Sequence, residues 1–315
     1  MWRFLTRRLI FFVVTLLFTS LLIFTLTNVL PGDVARTILG RNASEAQLVE
    51  VREELGLDQP LPLQYLNWVG GYLTGDWGMT FTSPRQPIRE VIGRRLANTA
   101  RLALLTLLIA VPLSVTLGVI AGLNEGKPLD NIISILSLSV VSLPEFVTGL
   151  FLINVVALGT GLFPPSSAVR VDTPFFEALP ALWLPAVTAT LVLIAYIVRL
   201  VRAGIIEELK KDYVNTAVLK GIPYPTVIVR HVLRNALIPT ITVIATSTGW
   251  LVSGLVVVET VFNYPGLGRL LIFGIDNRDL PLVQAIVMVT VFVILVANVL
   301  ADLAYIALNP RIELT

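Results

Sequence analysis

The chain has 315 residues, 55% of them hydrophobic and only 14% charged, whereas a soluble domain carries about a quarter charged residues. Its apolar surplus must therefore face lipid. With no cysteine, disulfides, thiolate nucleophiles, Cys-ligated zinc and iron–sulfur clusters are excluded, and one histidine, His231, leaves no multi-His metal site. The net charge of +2 excludes little, and the positions of the charges carry the information instead.

A membrane span takes about 20 mostly apolar residues. Six stretches qualify, at Leu9–Leu30, Thr99–Leu123, Asn131–Leu158, Pro180–Val201, Leu237–Phe262 and Pro281–Leu308. Continuous apolar runs of this length predict helices, since barrel strands would alternate. The expected fold is thus an all-α integral membrane protein with six transmembrane helices. Arg3, Arg7 and Arg8 precede the first span and assign the N-terminus to the cytoplasm. Six spans return the C-terminus, with Arg311, to the same side. The first apolar stretch is longer than a signal-peptide core and is followed by no Ala-x-Ala site, so it reads as an uncleaved helix. The organisation expected is residues 1–30 as N-terminus and first helix, 31–98 as a small external domain, 99–308 as a five-helix core, and 309–315 as a cytoplasmic tail.

Within the external segment, Ser44 and Gln47 have the spacing of a capping box at a helix start. Tyr65, Trp68 and Trp77 further on suit either a folded cap or anchoring at the membrane interface. In the second span, Gly118 and Gly122 form a Gly-x-x-x-Gly pair, which predicts close helix packing within the chain.

No catalytic constellation assembles. Gly122–Lys127 lacks the spacing and the Ser or Thr of a phosphate-binding loop, and Gly266-Leu267-Gly268 reads as a turn. Asp276 and Asp279 beside Arg278 read as a solvated turn. Glu145 is more informative, because it follows Pro144 in the middle of the third span. The proline loosens the helix there, and a carboxylate at membrane depth faces a water-filled path, a salt bridge or backbone. Glu259, near the outer end of the fifth span, is placed to tie that helix to the following loop.

Between spans four and five lies the densest basic segment, residues 204–236, with Lys210, Lys211, Lys220, Arg230 and Arg234. Residues Glu207 to Lys220 read as a helix stopped by Gly221 before Pro223, and a second run from Pro225 leads to Leu237 and Pro239. Such a surface element, joined to two spans, suits the transmission of a partner's motion. Contact with anionic lipid is the plainer alternative.

This loop resembles the Glu-Ala-Ala loop of ABC importer permeases, with Asn215-Thr216-Ala217 in the corresponding positions and Gly221 at the matching distance. His231-Val232-Leu233-Arg234, with the proline delayed to Pro239, is similar to the dipeptide/oligopeptide/nickel branch. So are Leu30-Pro31-Gly32-Asp33, Leu55-Gly56-Leu57-Asp58, Gly75-Asp76-Trp77-Gly78, Glu259-Thr260-Val261-Phe262, Pro265-Gly266-Leu267-Gly268-Arg269, Arg278-Asp279-Leu280-Pro281 and Asn309-Pro310-Arg311. The motifs cover nearly the whole chain.

The resemblance implies a type I ABC importer permease fold in a bacterial or archaeal cytoplasmic membrane. The implied partners are a second homologous permease subunit, two cytoplasmic ATPases that hold ATP and Mg, an external substrate-binding protein and the lipid bilayer, with no nucleic acid. No catalysis, metal or cofactor is expected on this chain. The ATPase-docking residues implied are Asp212, Tyr213, Asn215, Thr216, Ala217, Lys220, Gly221, Ile222 and Pro223. Pro144 and Glu145 are the expected pathway residues. The cargo expected is a dipeptide or oligopeptide, with nickel-chelate, glutathione or another small solute as alternatives. An ATP-independent secondary transporter or channel is the rival class, but the large loop occurs only in the first half of the chain and an internal repeat is missing.

Overall fold

A computed structural model of the protein describes residues 2–29, 44–54, 58–170 and 173–308. The motifs at Leu30–Asp33, Leu55–Leu57 and Asn309–Arg311, and the tail 309–315, lie outside the described residues. The described chain is helical. It comprises α1 (Trp2–Val29), α2 (Glu45–Glu54), α3 (Leu61–Thr74), α4 (Ile88–Leu123), α5 (Pro128–Val141), α6 (Glu145–Leu152), α7 (Phe175–Leu209), α8 (Asp212–Leu219), α9 (Tyr224–Val227), α10 (Leu233–Gly254), α11 (Val256–Val261), α12 (Leu267–Asp276) and α13 (Leu280–Leu308). Wider π turns at Ile153–Leu158 and Ile228–Val232 follow α6 and α9.

Among the described residues, Thr6–Thr27, Ile88–Leu123, Phe175–Leu209 and Leu280–Leu303 are each long and apolar enough to cross a membrane. The pair Pro128–Val141 and Glu145–Leu158 makes a fifth, bent by 100° at its break. The third predicted span is therefore two helices, not one. Pro144 lacks the N–H that would continue α5 and serves as the N-cap of α6.

The chain divides into two compact units, residues 1–97 with 269–293, and residues 98–268 with 294–315. In the first unit, α3 lies on α1. Ser20 and Tyr65 share a hydrogen bond of 2.8 Å, and Phe24, Tyr65, Trp68, Tyr72 and Trp77 form a chain of ring contacts 4.8–6.3 Å apart. The aromatic residues of this segment thus rest on α1, and α3 buries no residue fully. The capping box forms, with the Ser44 amide donating to Gln47 Oε1 at 3.0 Å and the Gln47 amide returning to Ser44 Oγ.

Asp279 departs from the solvated turn expected of it. Its carboxylate is buried, accepts from the Phe81 and Thr82 amides and the Thr82 hydroxyl, and caps α13 through the Leu282 amide.

The second unit is built around α7, the most buried of the long helices, with a buried stripe that includes Leu182, Ile197, Val201 and Ile205. Gly118 and Gly122 of α4 pass directly over that stripe. A Cβ at either would lie 2.6 Å from Val201 Cβ or 2.7 Å from Ile205 Cβ. The pair is a packing motif within the chain, and only glycine permits the approach.

Candidate functional site

Three places in the second unit concentrate polar side chains. The first is the loop between α7 and α10. Its helix begins later than the sequence suggests, because α7 runs to Leu209 and a turn at Lys210–Lys211 separates it from α8. Four groups hold the corner. Buried Glu208, at the end of α7, accepts from Lys211 and from Tyr213 Oη at 2.6 Å, and Asn235 of α10 donates to the same phenol at 3.3 Å. Burial and this hydrogen bond push the Tyr213 phenol up, so it stays a neutral donor at ordinary pH. The Glu208 carboxylate beside it holds the Lys211 ammonium above its usual range.

The far end of α8 closes as expected. Gly221 takes φ +77°, its amide donates to Val218 O at 2.9 Å, and the Ile222 amide donates to Ala217 O at 3.3 Å. This is a Schellman closure, which needs a left-handed residue after the cap. Pro223 then caps α9.

The structure sorts the predicted docking residues into two groups. Asp212, Asn215, Thr216, Lys220, Gly221 and Pro223 are exposed and share one surface element. Tyr213 and Ile222 are partly buried and Ala217 is buried, so they fasten the helix to the core. Two apolar side chains absent from the predicted set stand out: Val218, and Leu219 with 87% of its surface exposed. Leu219 lies off the buried Val214–Ala217 face by helical spacing, whereas Val218 follows Val214 by one turn and its exposure had no such signal. The second surface run also differs from expectation. It passes through the π turn into α10 without ending at Pro239, which sits inside that helix. Packing of α10 on α7, through core residues such as Ala236 and Leu251, offsets the lost backbone bond.

The second place is the break between α5 and α6. Glu145 occupies the first turn of α6 and is half-buried. It lines a cavity of about 340 Å3 with Pro144 and Thr148 on one side and Thr188, Tyr196 and Arg199 of α7 on the other. Of the alternatives for this carboxylate, a salt bridge and a hydrogen bond to backbone are both missing among the described residues. Arg199 is likewise unpaired among them. The nearby Asp130–Arg202 pair shows what pairing looks like in this unit, with bidentate contacts of 2.5 and 2.7 Å.

Glu259 makes a third polar cluster, and it is structural. The carboxylate is fully buried. It accepts from Thr99 Oγ1 at 2.6 Å and the Gly268 amide at 2.8 Å, while Thr99 Oγ1 accepts from the Leu267 amide. A Cβ on Gly266 would overlap that carboxylate at 2.0 Å. The turn Pro265–Gly268 is thereby locked to the end of α11. Among the described residues no group of acidic, His or Cys side chains fits a metal ion.

These features coincide with a known family. Residues 114–314 match the family described as binding-protein-dependent transport system inner membrane component, and residues 1–117 match the N-terminal family of such membrane components. Over 308 residues the chain is 35% identical to "Probable peptide ABC transporter permease protein y4tP" of Sinorhizobium fredii, covering 98% of each protein. It is 37% identical to the glutathione transport system permease protein GsiC of Pectobacterium atrosepticum and 36% identical to that of Escherichia coli K12, in each case covering 98% of this chain and 97% of the relative. A solved structure described as an amino acid ABC transporter with histidines shares the fold, with a TM-score of 0.52 at 16% identity, over 69% of this chain and 93% of that one. With its long apolar helices and family matches that together cover residues 1–314, the chain belongs to the binding-protein-dependent transport system inner membrane components, the permease subunits of ABC transporters.

Proposed function

We propose that the chain is one of two homologous permease subunits of an ATP-driven importer that takes dipeptides or oligopeptides from an external binding protein. The observation that carries the coupling is α8. It is a short surface helix bound by Glu208, Tyr213 and Asn235 to two long helices, and it offers Val218 and Leu219 to a partner. An exposed apolar pair on a rigid mount suits insertion into a groove on a cytoplasmic ATPase, with Asp212, Asn215, Thr216 and Lys220 around it. ATP and Mg belong to those ATPases. Closing them would move α8 and shift the permease between inward-open and outward-open states. The six-span topology, with α10 and α11 as the fifth span and both termini in the cytoplasm, follows from the basic residues before α1 and in the α7–α10 loop.

Peptide cargo is supported by the permease from Sinorhizobium fredii. The relatives named for glutathione transport support glutathione as the second reading. Both cargoes carry free amino and carboxyl groups.

The test is purification of the tagged chain from its native membrane in mild detergent, with partners identified by mass spectrometry. A second permease and ATPase chains should copurify. Leu219→Asp, and Gly221→Pro, which removes the φ +77° turn, should lose the ATPases and keep the permease. A chain recovered alone that transports without ATP overturns the proposal.

A further inference from the structure

The importer reading leaves open what in the membrane contacts the cargo, and the cavity at the α5–α6 break bears on that question. Its two walls carry opposite charges. Glu145 stands on α6, and Arg199 stands on α7 with Tyr196 a turn before it. Neither charge has an opposite partner among the described residues, although the same unit pairs Asp130 with Arg202 and Lys211 with Glu208. A half-buried carboxylate without a partner is costly, and the cost persists in a fold only where something else compensates it. The polar neighbours do not, because the Thr188 hydroxyl is spent on Leu184 O at 2.9 Å. Tyr196 is 58% exposed and lines the same space. The cavity, about 340 Å3, is of a size that holds a small organic molecule.

We infer that this cavity is a transit site for a zwitterion, in which Glu145 receives an ammonium group and Arg199 a carboxylate. The inference rests on the importer reading and narrows it, since it assigns to the permease a recognition of both ends of the cargo. Peptides and glutathione satisfy it; a cation alone does not. Arg199 is the residue that sequence patterns left out. It lies five residues before the basic segment that begins at 204, and the break at Pro144 sets Glu145 on the same cavity.

The absence of cysteine makes the test direct. Single-cysteine variants Thr148→Cys, beside Glu145, and Tyr196→Cys, beside Arg199, are prepared in the complete transporter in lipid nanodiscs. They are modified with methanethiosulfonate reagents of opposite charge, and labelling is read as intact mass of this chain. The cationic-to-anionic rate ratio should be at least about threefold higher at position 148 than at 196, from local charge alone. Glu145→Gln should abolish the preference at the first site and Arg199→Gln that at the second. A dipeptide with free termini, delivered by the binding protein, should slow labelling at both. Equal ratios at the two positions, ratios indifferent to the neutral substitutions, or no protection by the dipeptide would overturn the inference. Hydrolysis of ATP stimulated by the binding protein is measured first in the same nanodiscs. Its absence refutes the importer reading itself, whereas its presence with equal ratios refutes only the zwitterion site.

Discussion

The α7–α10 loop and the α5–α6 break use the same kinds of side chain to opposite ends. In the loop the buried charge at the corner is answered: Glu208 accepts from Lys211 and Tyr213, and Asn235 donates to Tyr213. In the break, Glu145 and Arg199 stay unanswered among the described residues. Satisfied polar groups in a low-dielectric setting make a rigid joint, and unsatisfied ones make a place for something to bind. The contrast matches the roles proposed above, a coupling mount for the first region and a cargo site for the second.

Removing partners from a satisfied region should be most damaging where burial is complete. Glu259→Ala leaves Thr99 and the Gly268 amide without their acceptor and should cost about 3 kcal/mol, read as a large fall in the unfolding midpoint in detergent. Glu208→Ala, at the loop corner, should cost about 1–2 kcal/mol. It should also uncouple ATP hydrolysis from transport, measured in proteoliposomes, since α8 loses its mount. Leu219→Asp changes a side chain that touches nothing, so stability should stay within about 0.5 kcal/mol while ATPase association weakens at least about tenfold. A large stability loss there would place Leu219 inside the fold and blunt the contrast. Glu145→Gln should not destabilise the chain and should raise the unfolding midpoint slightly, because it removes an unpaired half-buried charge, yet it should lower transport. If it destabilised the chain as much as Glu208→Ala, the two regions would not differ in kind.

Much of this was legible in residue order. Apolar length marked the long helices, Ser44 and Gln47 marked a cap, and Gly118 and Gly122 marked a close crossing. Gly221 marked the end of α8 because a left-handed turn leaves few choices of residue. What escaped were pairings made across long separations. Asp279 looked solvated beside Arg278, since its partners Phe81 and Thr82 lie almost two hundred residues earlier. Glu208 sat unremarked in the expected helix from Glu207 to Lys220, because its bond to Tyr213 depends on the turn at Lys210–Lys211 and the Tyr213 bond to Asn235 spans 22 residues. The 100° bend was underestimated because proline in a membrane helix is compatible with anything from a mild kink to a full break. The exposed Val218 and Leu219 were missed because the family pattern drew attention to the polar positions.

Gly204 of α7 stands against Ala236 of α10, so close that a Cβ would lie 2.8 Å from the Ala236 carbonyl oxygen. The two helices cross there backbone to backbone, one turn or so before each meets the α8 loop. Mechanically this is a fulcrum near the short end of a pair of levers. Under the proposed coupling, a displacement of α8 by a fraction of an ångström would act on both short arms together, and the long arms of α7 and α10 beyond the crossing would sweep through a proportionally larger arc. A bulkier residue at 204 would lengthen the short arms' separation and reduce that gain, so the smallest side chain in the alphabet sets the mechanical advantage of the joint.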